Sequence, residues 1–302
     1  MSSIKEKLIV KYKIGLSHTT QQKIKNIIES SINYFSDLKI EPQNVSREQS
    51  SMKILFRKSQ HEKCISKLSY INKKKLKQIK LFDEEFYEHN HISYRLIYKN
   101  KNNKLKVNHI VKTETMIETF KLHVLNKISC LDYIFCDCTN LLSVKYISSF
   151  KNRKIVGIEG AFNQCNSLLS LPEEISNWDI SHCPSLGCVF KDCSSLKNLP
   201  DISKWKTDNI SNFNLLFKGC LILEKLPDIS NWNTNKVINM TGVFCVCKSL
   251  ESLPDISKWK TNEVKFMNGL FYEDISLSFL PDISKWNTQK LVSFGVFLFF
   301  NL

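Results

Sequence analysis

Leu226-Pro227-Asp228-Ile229-Ser230-Asn231-Trp232 recurs 27 residues later as Leu253-Pro254-Asp255-Ile256-Ser257-Lys258-Trp259. All five tryptophans of the 302-residue chain keep that spacing: Trp178, Trp205, Trp232, Trp259 and Trp286. A fixed period of roughly 20–50 residues marks one supersecondary unit copied along an axis. Phe190, Phe217, Phe244 and Phe271 each follow a tryptophan by twelve residues, and Cys193, Cys220 and Cys247 come three residues further on. Asp274 breaks the cysteine series. Upstream, Phe162 with Cys165 and Phe135 with Cys138 continue it, and Phe150 takes a tryptophan slot. Leu171-Pro172-Glu173-Glu174-Ile175-Ser176 carries one extra acidic residue. The repeats therefore begin near residue 129 and are least regular at that end.

The apolar slots Leu250, Leu253, Ile256, Trp259, Val264, Met267 and Phe271 fit no single helical or strand face. A coil turning several corners, with each slot aimed inward, accommodates them. Stacked copies then put like side chains roughly 5 Å apart. One copy cannot bury its own face, so several are needed. The Ser-Leu-x-x-Leu segment before each proline reads as the strand, and proline, lacking an N–H, as its end. Met240 to Phe244 has the spacing of one helical turn.

Gly157-Ile158-Glu159-Gly160-Ala161-Phe162-Asn163-Gln164-Cys165-Asn166-Ser167-Leu168 resembles the repeat of the BspA-like leucine-rich-repeat proteins. The Leu-Pro-Asp-Ile-Ser-x-Trp copies resemble the Met- and Trp-bearing variant of that family, the mycoplasma-type surface-lipoprotein repeat. The resemblance covers 129–302. It implies a leucine-rich-repeat solenoid of about 27-residue units, commonly a surface or adhesive protein without enzymatic activity, and it transfers no catalytic residue. Two features depart from the family. Met1-Ser2-Ser3-Ile4-Lys5-Glu6-Lys7 opens no apolar run of signal length, so the compartment reads as cytoplasmic by default and as cell surface by resemblance. Phe297-Leu298-Phe299-Phe300-Asn301-Leu302 falls inside a copy, where a solenoid ordinarily has a polar cap. Truncation, a capping partner or end-to-end stacking are the readings of that end.

Residues 1–128 hold 26 Lys+Arg against 12 Asp+Glu, whereas 129–302 hold 17 of each, so the net charge of +14 belongs to the N-terminal part. Such asymmetry marks a domain boundary. The pattern predicts strand 7–14, helix 19–35, strands 38–45 and 51–57, helix 60–71 and strand 76–82. The order β-α-β-β-α-β suggests a ferredoxin-like module within a basic α+β domain, 1–90. Region 91–128 reads as a capping hairpin, with strands 94–98 and 104–110 around a turn at Asn100-Lys101-Asn102-Asn103, placed as a lid on the first repeat. The fold class expected is thus α+β, with the solenoid over 129–302.

Lys73, Lys74, Lys75, Lys77 and Lys80 form the densest basic cluster. They fit either a solvated lysine surface or an anionic partner such as nucleic acid or phospholipid head groups. No stacking signature of an RNA-binding sheet accompanies them. The eleven cysteines include no C-x-x-C pair, and no histidine cluster completes a metal site. Cys165, Cys193, Cys220 and Cys247 read as a ladder of buried thiols, within reach of disulfide geometry between neighbouring copies only under oxidising conditions. Asp201, Asp228, Asp255 and Asp282 read as turn caps rather than as calcium ligands, at one carboxylate per copy. The tryptophans read as core, with an exposed sticky stripe as the other reading. Seven histidines stand in no nucleophile–base motif, and eight glycines form no phosphate loop. The chain therefore reads as a non-enzymatic protein-recognition or adhesion scaffold. It needs no cofactor or metal and has no membrane span, and an adaptor for nucleic acid or anionic surfaces is the alternative.

Overall fold

The computed structural model describes residues 64–71, 78–90, 94–98, 101–104, 106–110, 117–124, 129–145, 154–293, 295 and 298–299. The strands and helix expected before residue 60 lie outside the described residues, as do Lys73, Lys74, Lys75 and Lys77. The first described element is a strand, β1 (Cys64–Ile71), followed by β2 (Gln78–Lys80) and the helix α1 (Glu84–Asn90). Then come β3 (Tyr94–Tyr98), β4 (Lys101–Lys104), β5 (Asn108–Ile110), β6 (Ile117–Val124) and β7 (Leu141–Lys145). The order β4-β3-β6-β1-β7 makes one five-stranded sheet that draws strands from all three sequence segments, and β2 pairs separately with β5.

Helix 60–71 is corrected over its described part. Ile65, Leu68 and Ile71 have helical spacing, but β1 is central to the sheet. It is antiparallel to β6 from Cys64↔Val124 to Ile71↔Ile117, and to β7 from Lys67↔Lys145 to Tyr70↔Leu141. Pairing on two edges satisfies the backbone of a segment whose side-chain spacing leaves the choice open. The hairpin is corrected too. Tyr98 faces Lys101, and Asn102 and Asn103 lie in the ladder opposite Ile97 and Leu96 rather than in a turn. Asn108–Ile110 pairs with Gln78–Lys80 instead. The β3–β4 pair sits at the edge of the sheet away from β7. The strand laid against the first repeat is therefore β1, through β7, and β7 in turn carries the parallel bridge Ser143↔Ser170.

From residue 129 the chain runs as coils laid over one another at the sequence period. Parallel bridges join Cys130 to Gly157, and then Ser185, Asn212, Asn239, Phe266 and Ser293 in series. From Ser185 on, the bridged positions lie seven residues after each tryptophan, and a bridge falls in a Ser-Leu-x-x-Leu segment at Ser143↔Ser170. Those segments form a strand only at β7, and elsewhere are tied by single bonds such as Glu251 N–H to Glu224 O, 3.2 Å. The prolines precede short 3-10 turns such as Ile202–Lys204 and Ile256–Lys258.

The Met-x-x-x-Phe segment is not a helix. It is a chain of tight turns in which alternate amides bond locally and between coils. Cys245 N–H donates to Gly242 O (3.2 Å) while Phe244 N–H donates to Leu270 O (3.1 Å) and Val246 N–H to Tyr272 O (2.7 Å). Each coil carries two left-handed residues four apart: Tyr133/Asp137, Gly160/Gln164, Cys188/Asp192, Leu215/Gly219, Gly242/Val246 and Gly269/Glu273. A helix cannot contain them. Gly219, at φ +73°, has no room for a Cβ because the Asp192 carboxylate lies against it.

The core is a file of aromatic rings along the stack axis. Phe135, Phe162, Phe190, Phe217, Phe244 and Phe271 stack at centroid distances of 5.6–6.0 Å. The file continues beyond the first coil. Phe82 stacks on Phe135 at 5.7 Å and on Phe86 of α1 at 6.2 Å, and Phe86 meets Tyr94 at 5.5 Å. Asp83 N–H donates to Ile134 O (3.4 Å), and the Asp83 carboxylate accepts from Glu85 N–H (2.9 Å) at the start of α1. Residues 81–86 thus plug the first coil with rings of the kind its own repeats use, and they meet the need of an end coil for a cover.

Phe82→Ala is expected to cost about 3–5 kcal/mol in urea unfolding, because Phe82 is fully buried against two rings. Val246→Gly should instead stabilise by about 0.5–1 kcal/mol, since a β-branched residue at φ +63° is relieved at the expense of chain entropy.

Candidate functional site

Tryptophan, phenylalanine and cysteine positions of successive coils fall on three inward columns. Trp178, Trp205, Trp232, Trp259 and Trp286 are 2–8% exposed. Trp205, Trp232 and Trp259 stack nearly parallel at 6.5 Å. Four of the five indole N–H groups reach back to the isoleucine carbonyl thirty residues earlier: Trp205 to Ile175 (3.0 Å), Trp232 to Ile202 (3.2 Å), Trp259 to Ile229 (3.1 Å) and Trp286 to Ile256 (3.2 Å). These rings bind adjacent coils to each other, and their faces are not offered to a partner.

The thiols do the same beside the phenylalanines. Cys165 donates to Phe135 O, Cys193 to Phe162 O, Cys220 to Phe190 O and Cys247 to Phe217 O, at 3.1–3.2 Å. All are free and buried. Burial pushes the thiols of Cys138, Cys165, Cys193, Cys220 and Cys247 well above the ordinary range, so none is a nucleophile at neutral pH. Thr207, Thr234 and Thr261 form a fourth column, with hydroxyls donating to Asn233, Lys260 and Asn287 carbonyls at 2.9–3.1 Å.

The aspartate column is exposed. Asp201, Asp228, Asp255 and Asp282 each accept the N–H of the serine two residues on, at 2.9–3.1 Å. Hydrogen bonding from that serine lowers each carboxyl pKa below the usual value. One oxygen of each is thereby committed to its own turn. Lys80 is the member of the expected basic cluster that lies within the described residues. Its ammonium lies 3.1 Å from Asp83 and 3.7 Å from Asp137, between the plug and the first coil. Burial acts to lower its pKa, but the hydrogen bond and charge of Asp83, with Asp137 behind, outweigh it, and the net shift is upward. Asp83, Cys136 and Asp137 bring three donor atoms within 4.8 Å of one another, and the Lys80 ammonium already lies against both carboxylates.

Two features were less visible in the sequence. Asp274 takes the thiol slot of its coil and is fully buried. Its Oδ1 accepts Cys247 N–H at 2.8 Å, while Oδ2 has no hydrogen-bond partner. Burial pushes the carboxyl up to about 8, against the pull of the Cys247 bond. The spacing marked Asp274 as a break in the series but gave no sign of how deeply it is buried. The second feature is an apolar strip on the outside of the bridged column. Ile238, Phe266 and Val292 are 39%, 37% and 75% exposed, on three successive coils. Lys265 N–H bonds to Ile238 O and Val292 N–H to Lys265 O, both at 2.8 Å, so these coils are direct neighbours there. Upstream copies hold Pro184, Ser185, Ser211 and Asn212 at these positions, and that switch from polar to apolar is the signal by which sequence could have found the strip. A separate cleft is lined by Lys258, Lys260, Lys285 and Asn287. Among the described residues, no helix is long and apolar enough to cross a membrane.

Replacing Trp232 with Ala should cost about 3–5 kcal/mol; a variant with unchanged melting and impaired partner binding would put the indole on a contact surface instead. Ellman's reagent should leave the five buried ladder thiols unmodified in the native chain and reach them after denaturation.

No curated protein and no solved structure matches the chain. A family model does, twice and with overlap, at residues 129–225 and 197–299, together more than half of the sequence. The repeat-bearing part is thus a tandem of this unit, and the chain belongs to the mycoplasma-type repeat family described as "Mycoplasma protein of unknown function, DUF285".

Proposed function

We propose that the chain is a non-enzymatic recognition protein whose repeats form a BspA-like leucine-rich-repeat solenoid, and that it holds a protein partner on the outer face of the bridged column. The observation that carries this reading is the strip of Ile238, Phe266 and Val292. These are large exposed apolar side chains on adjoining coils of a framework whose tryptophan and phenylalanine columns are buried. Exposed apolar side chains grouped on adjoining coils favour association. Lys236, Lys265 and Lys290 border it, with Lys290 held by Glu263 at 2.6 Å, so a partner with an acidic rim around apolar anchors matches it best. The ladder thiols are buried and the exposed aspartates cap their own turns, an arrangement that suits a binding scaffold. An adhesive role at a surface is what the BspA-like resemblance adds.

The test uses the intact chain as bait in cross-linking capture, compared with the double variant Phe266→Ser/Val292→Asp. Capture should fall at least about tenfold, one apolar anchor contributing on the order of 1.5–2 kcal/mol, at a melting temperature within about 2 °C of the wild type. Unchanged capture by the double variant, or capture of nucleic acid that is lost as salt rises, would reject the reading.

A further inference from the structure

We propose that Asp274 is a proton-operated latch: the coil of residues 267–286 stays seated on the coil before it while the buried carboxyl carries its proton, and unseats as that proton is lost. The inference rests on geometry that the partner reading does not use. Cys165, Cys193, Cys220 and Cys247 fill the same slot on the earlier coils with a thiol that is neutral across physiological pH. A carboxyl is neutral there only if the protein holds it so. Asp274 is 0% exposed. Its Oδ1 takes the Cys247 N–H at 2.8 Å, a bond running directly between the two coils, and its Oδ2 has no partner.

The groups facing it supply no compensating charge. Cys245 and Cys247 on the preceding coil are thiols whose own titration lies above the neutral range. On its own coil, Glu273 is occupied by Lys248 at 3.9 Å, out at the surface, and Tyr272 holds its proton beyond neutrality. Among the described residues, no cation pairs with Asp274. An ionised carboxylate left unpaired in such a site is strongly disfavoured, so ionisation and unseating go together. The coil of Asp274, on which Ser293, Gly295 and Leu298–Phe299 stack in turn, is also more loosely covered. Ile283 and Trp286 are each 8% exposed, against 0% and 4% for Ile229 and Trp232. Phe266, in the exposed strip, lies next to Met267 at the start of the latched segment.

The direction of the effect follows from proton linkage. The seated coil keeps a proton that the open coil gives up at ordinary carboxyl pKa. Seating is therefore fully favoured at about pH 4 and below, and it weakens as pH rises toward the folded value of about 8. Between those limits the open-to-seated ratio rises about tenfold per pH unit, the slope of one proton.

Hydrogen exchange of the full chain, followed by mass spectrometry from pH 5 to 8 and divided by intrinsic exchange rates, reads that ratio. Peptides from 271–286 should open about tenfold more per pH unit in the wild type, peptides from 210–232 should not change, and Asp274→Asn should be flat throughout. Asp274→Cys, which restores the ladder residue, should also be flat, and it serves if the asparagine variant does not fold. Equal pH dependence in wild type and either variant overturns the latch. So does a carbon-13 carboxyl titration of Asp274 in the ordinary carboxylate range.

Discussion

Everything in the repeat-bearing part depends on one set of backbone hydrogen bonds, in which an amide donates to the carbonyl 26 residues ahead. Phe190 to Leu216, Phe217 to Val243 and Phe244 to Leu270 are three links of the set, at 2.9–3.1 Å. Once these bonds hold, the coil after each is pinned in register, and like side chains must lie over like. A slip of one residue would move every inward slot outward, as it would in a sheet. The left-handed residues are the local cost of this arrangement. They turn alternate amides toward the neighbouring coil, and they persist at Leu215, Cys188 and Val246 because interlocking bonds on both sides hold them.

The side-chain ladders exploit the register. Phenylalanine rings meet at 5.6–6.0 Å with interplanar angles as low as 1°, so apolar burial and ring contact repeat along the axis. The indole N–H and the thiol, two groups that would be costly if orphaned in a core, find equivalent carbonyls on successive coils, for Trp205 to Trp286 and Cys165 to Cys247. The polar atoms of the core are therefore satisfied between coils rather than within them, which makes each coil dependent on its neighbour. That dependence is also why the N-terminal segment has to close the first coil, and Phe82 does so by adding one more ring to the file. It is why a single misfit such as Asp274 has consequences beyond its own position.

The parts legible in the sequence were those that recur. Trp, Phe and Cys at a constant period announced which residues would share an environment, and Leu250, Ile256 and Met267 at irregular short spacing announced inward slots, each now seen as buried. The illegible parts were of two kinds. Backbone conformation at Cys188, Leu215 and Val246 carries no turn signature, so the segment read as a helix by spacing alone. Long-range pairing at Cys64–Ile71 competes with a local pattern that fits a helix, and only contact with β6 and β7 decides between them. The candidate surface was hidden for a related reason. Ile238, Phe266 and Val292 belong to none of the recurring slots, and their exposure shows only once the coils are laid over one another.

Scalar couplings across hydrogen bonds test the register most directly, because they report which carbonyl each amide binds. In isotope-labelled protein, the amides of Phe190, Phe217 and Phe244 should couple to the carbonyl carbons of Leu216, Val243 and Leu270. Couplings from those amides to carbonyls four residues earlier would mean that helical turns occupy these segments, and that the coils are not joined along the chain in this way.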